Sequence, residues 1–311
     1  MIPEAPAPII VRGREWRFGQ RTFVMGIVNV TPDSFSGDGL LARSEAPVEA
    51  AVAQALRMVT EGADVVDVGG ESTRPGHEPV SSDQELDRVR DVIRGIRARS
   101  PMLPISIDTS KAEVAEAALT AGADIVNDVA AVTAGAALAA VAAAHGAPYI
   151  LMHDRTRPEY TDLIEEVIDD LHRSMAMAIA AGCEPDSLMV DPGIGFGKTA
   201  EQNVALLRGL PALRGLARPV VLGTSRKSTI GKVLGAPVED RLEGTLATTA
   251  LGIAAGIDMV RVHDVRANVR AARMADAIVR GTWHDDGTTS VAPTDTTGAP
   301  NGHDPDPHQR R

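Results

Sequence analysis

A chain of 311 residues with 44% hydrophobic and 23% charged residues has the composition of a globular protein, long enough for one large α/β barrel or two smaller domains. Its formal charge of −11, from 31 Lys and Arg against 42 Asp and Glu, argues against a nucleic-acid surface but leaves room for a local cationic cluster that meets a small anion. Aromatic residues make up only 3%, so the core must come from Val, Ile, Leu, Ala and Met, and a single cysteine, Cys183, excludes an intrachain disulfide.

The opening MIPEAPAPII lacks the charged-then-apolar order of a signal peptide, and no run reaches the roughly 18 apolar residues of a membrane span, so a cytoplasmic location is expected. IIVRGREWRFGQRTFVM reads as a hairpin turning at Gly13 and covering the bottom of a barrel. Eight short apolar runs follow: VMGIVNV (24–30), ADVVDVGG (63–70), PISIDT (104–109), DIVNDV (124–129), PYILMH (148–153), SLMVD (187–191), PVVLGTS (219–225) and DMVRVHD (258–264). Their continuous Val/Ile character suits strands buried on both faces. The phrases EGAD, AGAD, HGAP and AGID before several of them place glycine where a helix ends and turns into a strand. Ser82 with Glu85, and Thr199 with Gln202, have the spacing of capping boxes that open helices.

This alternation predicts a (β/α)8 TIM barrel that begins near residue 24, within a single domain spanning 1–284. A doubly wound sheet is the alternative, but no G-x-G-x-x-G follows the first strand. From Asp285 onward the chain is rich in Pro, Gly, Thr and Asp without apolar periodicity, which predicts a disordered tail over 285–311.

DPGIGFGKT (191–199) ends like a phosphate-binding loop, yet the glycine needed five positions before Gly197 is Pro192, which has no N–H to offer a phosphate. The chemistry is better sought at the C-terminal ends of the strands, where barrel active sites lie. Those ends carry Asn29; Glu71, Thr73 and Arg74; Asp108; Asn127; His153; Asp191; Lys227 and Ser228; and Arg261 with His263. Any one of them has a structural explanation, as a helix cap or a turn partner. So many on one rim would desolvate polar groups for no gain unless they serve a ligand. Asp108, Asn127 and Asp191 suit a flat heterocycle with amino and lactam edges, whereas Arg74, Lys227, Arg261 and His263 suit phosphate oxygens. There is no H-E-x-x-H and no Cys/His cluster, so the metal expected is Mg2+, held by substrate phosphates and one or two protein oxygens.

Taken in order, GIVNVTPDSFSGDG, DVGGESTRPG, SIDTSKAEVA, NDV, LMH, DPGIGFGK, GTSRKS and RVHDV closely resemble the signatures of the bacterial dihydropteroate synthases, over about Val24 to Trp283. The resemblance implies a homodimeric (β/α)8 barrel that joins (7,8-dihydropterin-6-yl)methyl diphosphate to 4-aminobenzoate. The products are pyrophosphate and the folate precursor 7,8-dihydropteroate. Carried over by position, Asp108, Asn127, Asp191 and Lys227 would line the pterin pocket, and Arg261 would lie between pterin and diphosphate. Asn29, Arg74 and His263 would hold the diphosphate, with Asn29 on its Mg2+, while Phe35, Thr73, Pro75, Phe196 and Ser228 would form the aminobenzoate side, which in the family also takes sulfonamides. Catalysis would fall to Arg261, His263, Lys227 and Asp108. The chain departs from the family pattern at SGDGL (36–40), where S-D-G-G is usual, and after Val129. A methyltetrahydrofolate-dependent methyltransferase would share the carboxylates but has no use for STRPG or SRKS. A catalytically silent pterin-binding paralogue is the other rival, and the altered first loop is the feature that favours it.

Overall fold

This computed structural model describes residues 5–31, 47–71, 80–133, 135–282, 284–285 and 289–290. Strands β1 (Ile9–Val11) and β2 (Arg14–Trp16) form an antiparallel hairpin whose turn places Arg12 and Gly13 at positive φ. Eight parallel strands follow: β3 (Phe23–Asn29), β4 (Val65–Gly69), β5 (Ile105–Thr109), β6 (Ile125–Asp128), β7 (Tyr149–Met152), β8 (Leu188–Asp191), β9 (Val221–Leu222) and β10 (Met259–Val262). They lie in the order β8-β7-β6-β5-β4-β3-β10-β9. A bridge from Val190 to Val220, with the Val190 N–H donating to the Pro219 carbonyl at 3.0 Å, joins the two ends and closes the barrel. The predicted (β/α)8 architecture is therefore the one observed.

The helices run α1 (Pro47–Thr60), α2 (Ser82–Arg99), α3 (Ala112–Ala121), α4 (Ala137–His145), α5 (Leu163–Ala180), α6 (Ala200–Gly209), α7 (Ser228–Leu234), α8 (Leu242–Ala254) and α9 (Val265–Val279). None among the described residues is long and apolar enough to cross a membrane. Glycines 62, 122, 146 and 256 all have positive φ where a helix gives way to the next strand, which is the backbone reason for the repeated EGAD-like phrase. The capping box of α6 is as expected, with Thr199 and Gln202 exchanging bonds. That of α2 sits one residue earlier than predicted, on Ser81 and Gln84. Glu85 is unavailable for capping because its fully buried carboxylate accepts from Lys111 at 2.6 Å.

The core has two parts. Between sheet and helices lies the main cluster, built almost wholly from Val, Ile, Leu and Ala. Inside the barrel's lower end, Met25, Val65, Ile125, Ile150, Met189, Val221 and Met259 meet Ile9, Val11, Trp16 and Phe18 from the hairpin and the segment after it. The hairpin thus plugs the bottom of the barrel, with Trp16 stacked on Phe23 at 4.9 Å between ring centroids. Near the C-terminus, His284–Asp285 and Thr289–Ser290 pair as two short antiparallel strands, so the first part of the predicted tail carries a ladder. The rest of 285–311 lies outside the described residues.

Candidate active site

Successive side chains on a strand alternate sides, so the residues two places beyond the lower apolar layer also point into the barrel. Val65 leads to Asp67, Ile125 to Asn127, Met189 to Asp191 and Met259 to Arg261. The lumen therefore changes from apolar to polar in one step. Here the barrel gathers a connected set. The Arg261 guanidinium donates from Nε to Asp67 Oδ2 at 2.6 Å and from its other arm to Asp108 Oδ2. Asn127 Nδ2 donates to the same Asp67 oxygen at 3.1 Å. One oxygen on each carboxylate, Oδ1 of Asp67 and of Asp108, is buried with no hydrogen-bond partner. Such an acceptor costs about 1–3 kcal/mol unless something donates to it.

The electrostatics follow from burial against pairing. Burial, reinforced by the neighbouring Asp67 charge and opposed by Arg261, pushes the Asp108 carboxyl up to about 7. Burial also raises Asp191, against the pull of Lys227 and a 2.7 Å bond from the Gly193 N–H. Burial draws the Lys227 ammonium down to about 8, with Asp191 resisting. For Arg261 burial disfavours the charge, but Asp67 and Asp108 outweigh it and hold the guanidinium above its ordinary value. Two glycines stand beside these carboxylates. A methyl on Gly69 would come within 3.5 Å of the Asp108 side chain, and one on Gly223 within 3.5 Å of Asp191 Oδ2.

Two loops form the wall above. After β8, Gly193, Gly195 and Gly197 all have positive φ, and a methyl at Gly193 would stand 1.7 Å from the His153 carbonyl oxygen. This loop brings the half-buried Phe196 beneath Lys227, whose Nζ lies 4.2 Å from the ring centroid and donates to the Ile194 carbonyl. After β9, Arg226 takes φ +57, a conformation L residues rarely adopt. A two-armed pair with Asp264 at 2.7 and 3.0 Å holds it there. Ser225 Oγ accepts from the His263 backbone N–H at 3.1 Å and lies 3.0 Å from Nδ1 of the same residue. With that hydroxyl donating to Nδ1, the ring proton rests on Nε2, a donor fit for a phosphate oxygen.

Of the residues expected from the sequence, Asp108, Asn127, Asp191, Lys227 and Arg261 are brought together around the lumen. Asn29 at the end of β3, His263 after β10, Phe196 and the exposed Ser228 at the start of α7 stand on the same rim. Phe35, Thr73, Arg74, Pro75 and the SGDGL departure lie outside the described residues. Two rim candidates belong elsewhere. The His153 ring is fully buried and bonded to Asp170 of α5, and Glu71 accepts from Lys111 at 2.6 Å. Asp67 was not anticipated, although an Asp in phase with Val65 and Gly69 inside an apolar strand is itself a signal. The Arg226–Asp264 pair, which only tertiary contact reveals, was missed as well.

Among the described residues no group of three His, Cys, Asp or Glu side chains could hold a metal. Asn29 offers an amide oxygen at the rim, a hard donor of the kind Mg2+ accepts when phosphates complete its shell.

Comparison with known proteins agrees with this geometry. A family profile described as pterin binding enzyme matches residues 25–263. The chain is 46% identical over 271 residues to a dihydropteroate synthase of Clostridium beijerinckii, covering 87% of this chain and 99% of that one. It is 46% identical over 262 residues to the dihydropteroate synthase of Bacillus subtilis, covering 84% and 90%. Among solved structures, Xanthomonas albilineans dihydropteroate synthase with 4-aminobenzoic acid superposes with a TM-score of 0.82 at 43% identity, covering 88% of this chain and 98% of that one. The same enzyme in complex with 7,8-dihydropteroate gives 0.78 at 42% identity, covering 87% and 98%.

Proposed function

The chain belongs to the family of pterin-binding enzymes, and from that premise we propose that it performs the dihydropteroate synthase reaction. It transfers the dihydropterinylmethyl group from its diphosphate to the amine of 4-aminobenzoate, releasing pyrophosphate and supplying 7,8-dihydropteroate for folate synthesis. The observation that carries this is the Asp67–Arg261–Asp108 set with its two unpartnered carboxylate oxygens. A pterin edge presents adjacent N–H donors, and this floor holds adjacent acceptors with nothing else to accept.

The residues divide the work. Asp67, Asp108, Asn127 and Asp191 orient the pterin, and the negative charge of the three aspartates offsets the positive character that grows on its methylene as the C–O bond lengthens. Arg261, pinned in place by two carboxylates, faces the departing diphosphate with no reorganisation cost, and His263 Nε2, two residues further along the chain, donates to it. Arg74 is assigned to the same oxygens. Lys227 lines the pterin pocket, and Ser228 edges the second site, where Phe196 faces the aminobenzoate ring; Phe35, Thr73 and Pro75 are assigned to the same side. Sulfonamides, as 4-aminobenzoate mimics, would occupy the same side. Asn29 would hold Mg2+ together with the diphosphate, and the ion would neutralise charge on the leaving group. A cytoplasmic location goes with this reading.

The reading includes a homodimer. Leu251 on α8 and Ile278 on α9 are each 71% exposed, and Met274, one turn before Ile278, is 63% exposed. An apolar stripe of that kind on neighbouring helices marks an association surface.

The test is pyrophosphate release with the pterin diphosphate, Mg2+ and 4-aminobenzoate, each omitted in turn. Release that requires all three, with pteroate formed in step, is the expected result. Tight pterin binding without release would mark the chain as a pterin binder that does not turn over.

A further inference from the structure

Lys198 is the lysine that gives DPGIGFGKT its likeness to a phosphate loop, yet its ammonium is turned away from the lumen. Nζ lies 3.0 Å from the Gly193 carbonyl, 2.9 Å from the Phe196 carbonyl and 2.8 Å from His153 Nδ1. Behind it, His153 Nε2 lies 3.0 Å from Asp170 Oδ2, which also accepts from Arg155 Nε at 2.7 Å. The two carbonyls can only accept, so Nζ donates to both. If Nζ were a neutral amine, its third contact would need a proton on His153 Nδ1. That would leave a bare Nε2 facing the Asp170 carboxylate. Asp170 is held ionised, because burial, which opposes the charge, is outweighed by Arg155 and His153. The consistent assignment is an ammonium on Lys198, a neutral His153 with its proton on Nε2, and a carboxylate on Asp170. Burial pulls Lys198 down to about 7 and His153 down to about 4. For His153 this agrees with the neutral ring; for Lys198 the three acceptors decide, since only the cation fills them.

The loop that Lys198 spans is anchored at one end by Ile194, buried in the core, but its Phe196 half has less to fix it. Gly193, Gly195 and Gly197 give it no side chains. Its other ties include the Gly193 N–H to Asp191, Lys227 Nζ to the Ile194 carbonyl, the Gly195 N–H to Asn203 Oδ1 at 2.7 Å and the Gly197 carbonyl to the Tyr160 hydroxyl at 3.1 Å. None of these reaches the Phe196 carbonyl; Lys198 does. The carbonyl of Gly193 accepts from both the Phe196 N–H and Nζ, so one ammonium closes the turn that sets the aromatic ring against Lys227.

We propose that Lys198, backed by His153 and Asp170, is a positioning residue for the second substrate: it clamps the loop after β8 from behind and so fixes the Phe196 wall. This rests on the assignment of Phe196 to the aminobenzoate side made above. Most of the pterin floor stands on strands β4, β5, β6 and β10. Of the pterin residues, Asp191 and Lys227 touch the loop, through the Gly193 N–H and the Ile194 carbonyl. Neither contact runs through Lys198 Nζ, so the two substrates respond differently to the loss of the clamp.

The experiment uses the full chain with Lys198→Met, which keeps the stem and removes the charge. Two readouts are taken: amide hydrogen exchange across 193–199, and steady-state kinetics together with direct pterin diphosphate binding. The expected result is faster exchange in that segment, a KM for 4-aminobenzoate raised about tenfold or more, and pterin diphosphate affinity changed by less than about threefold. Lys198→Gln, which can still donate to one carbonyl, gives a smaller change in the same direction and serves if the Met variant does not fold. Unchanged exchange overturns the clamp. Faster exchange with both affinities falling equally overturns its selectivity for the second substrate. If the unaltered chain shows no turnover, the functional assignment fails on its own, and the exchange data still decide whether Lys198 holds the loop.

Discussion

At the scale of single residues, the chemistry hangs on one guanidinium shared by two buried acids. Arg261→Ala leaves Asp67 and Asp108 side by side without a cation, so turnover should fall by about a hundredfold to a thousandfold. Stability should fall by about 3–5 kcal/mol. Pyrophosphate release and urea unfolding measure the two, and an Arg261→Ala enzyme with ordinary turnover would sink the assignment. Asp108 adds a pH signature. Its carboxyl titrates near 7 in the fold, whereas an unfolded carboxyl titrates near its ordinary value of 3.8. Between those limits the folded ligand-free chain holds a proton that the unfolded chain has released, so this residue's contribution to stability declines as pH rises through that window. Unfolding midpoints taken from pH 4 to 7 should therefore show a smaller decline, or a larger gain, with rising pH in Asp108→Asn than in the parent; parallel curves would contradict the assignment.

Whole elements carry a different share of the function. The β1–β2 hairpin contributes nothing to the rim but seals the lower lumen, with Trp16 only 4% exposed. Trp16→Ala should cost about 3–5 kcal/mol in denaturant unfolding while leaving KM for both substrates unchanged, because the cavity opens at the end remote from the site. This hairpin, the eight strands and the helix-ending glycines were all legible in the sequence, since each rests on local rules of continuity, alternation and φ. Less legible was anything decided by which side a residue faces. Asp67 reads as an interruption in VVDVGG, and only its phase with Val65 turns it inward. His153 fails by the same rule, because Ile150 points into the lumen and the residue three places on points out. The shift of the α2 cap from Ser82 to Ser81 has another cause: Glu85 is claimed by Lys111, a partner 26 positions away that no local pattern exposes.

The molecule as a whole is a tube, apolar below and ionic above, with a greasy stripe along α8 and α9. If that stripe is the dimer face, Leu251→Glu combined with Ile278→Glu should halve the sedimenting mass while each subunit keeps its fold; an unchanged mass would place the interface elsewhere. The tube itself is fastened unevenly. Every neighbouring pair of strands shares a ladder except β8 and β9, which meet through the bridge at Val190 and Val220. That seam runs between the strand bearing Asp191 and the strand that leads to Lys227. Parted there, the barrel becomes a curled ribbon with two bare lips, one holding the acid and the other the base. A bound pterin touching both would act as a stitch across the tear, so heat resistance would report occupancy of the pocket.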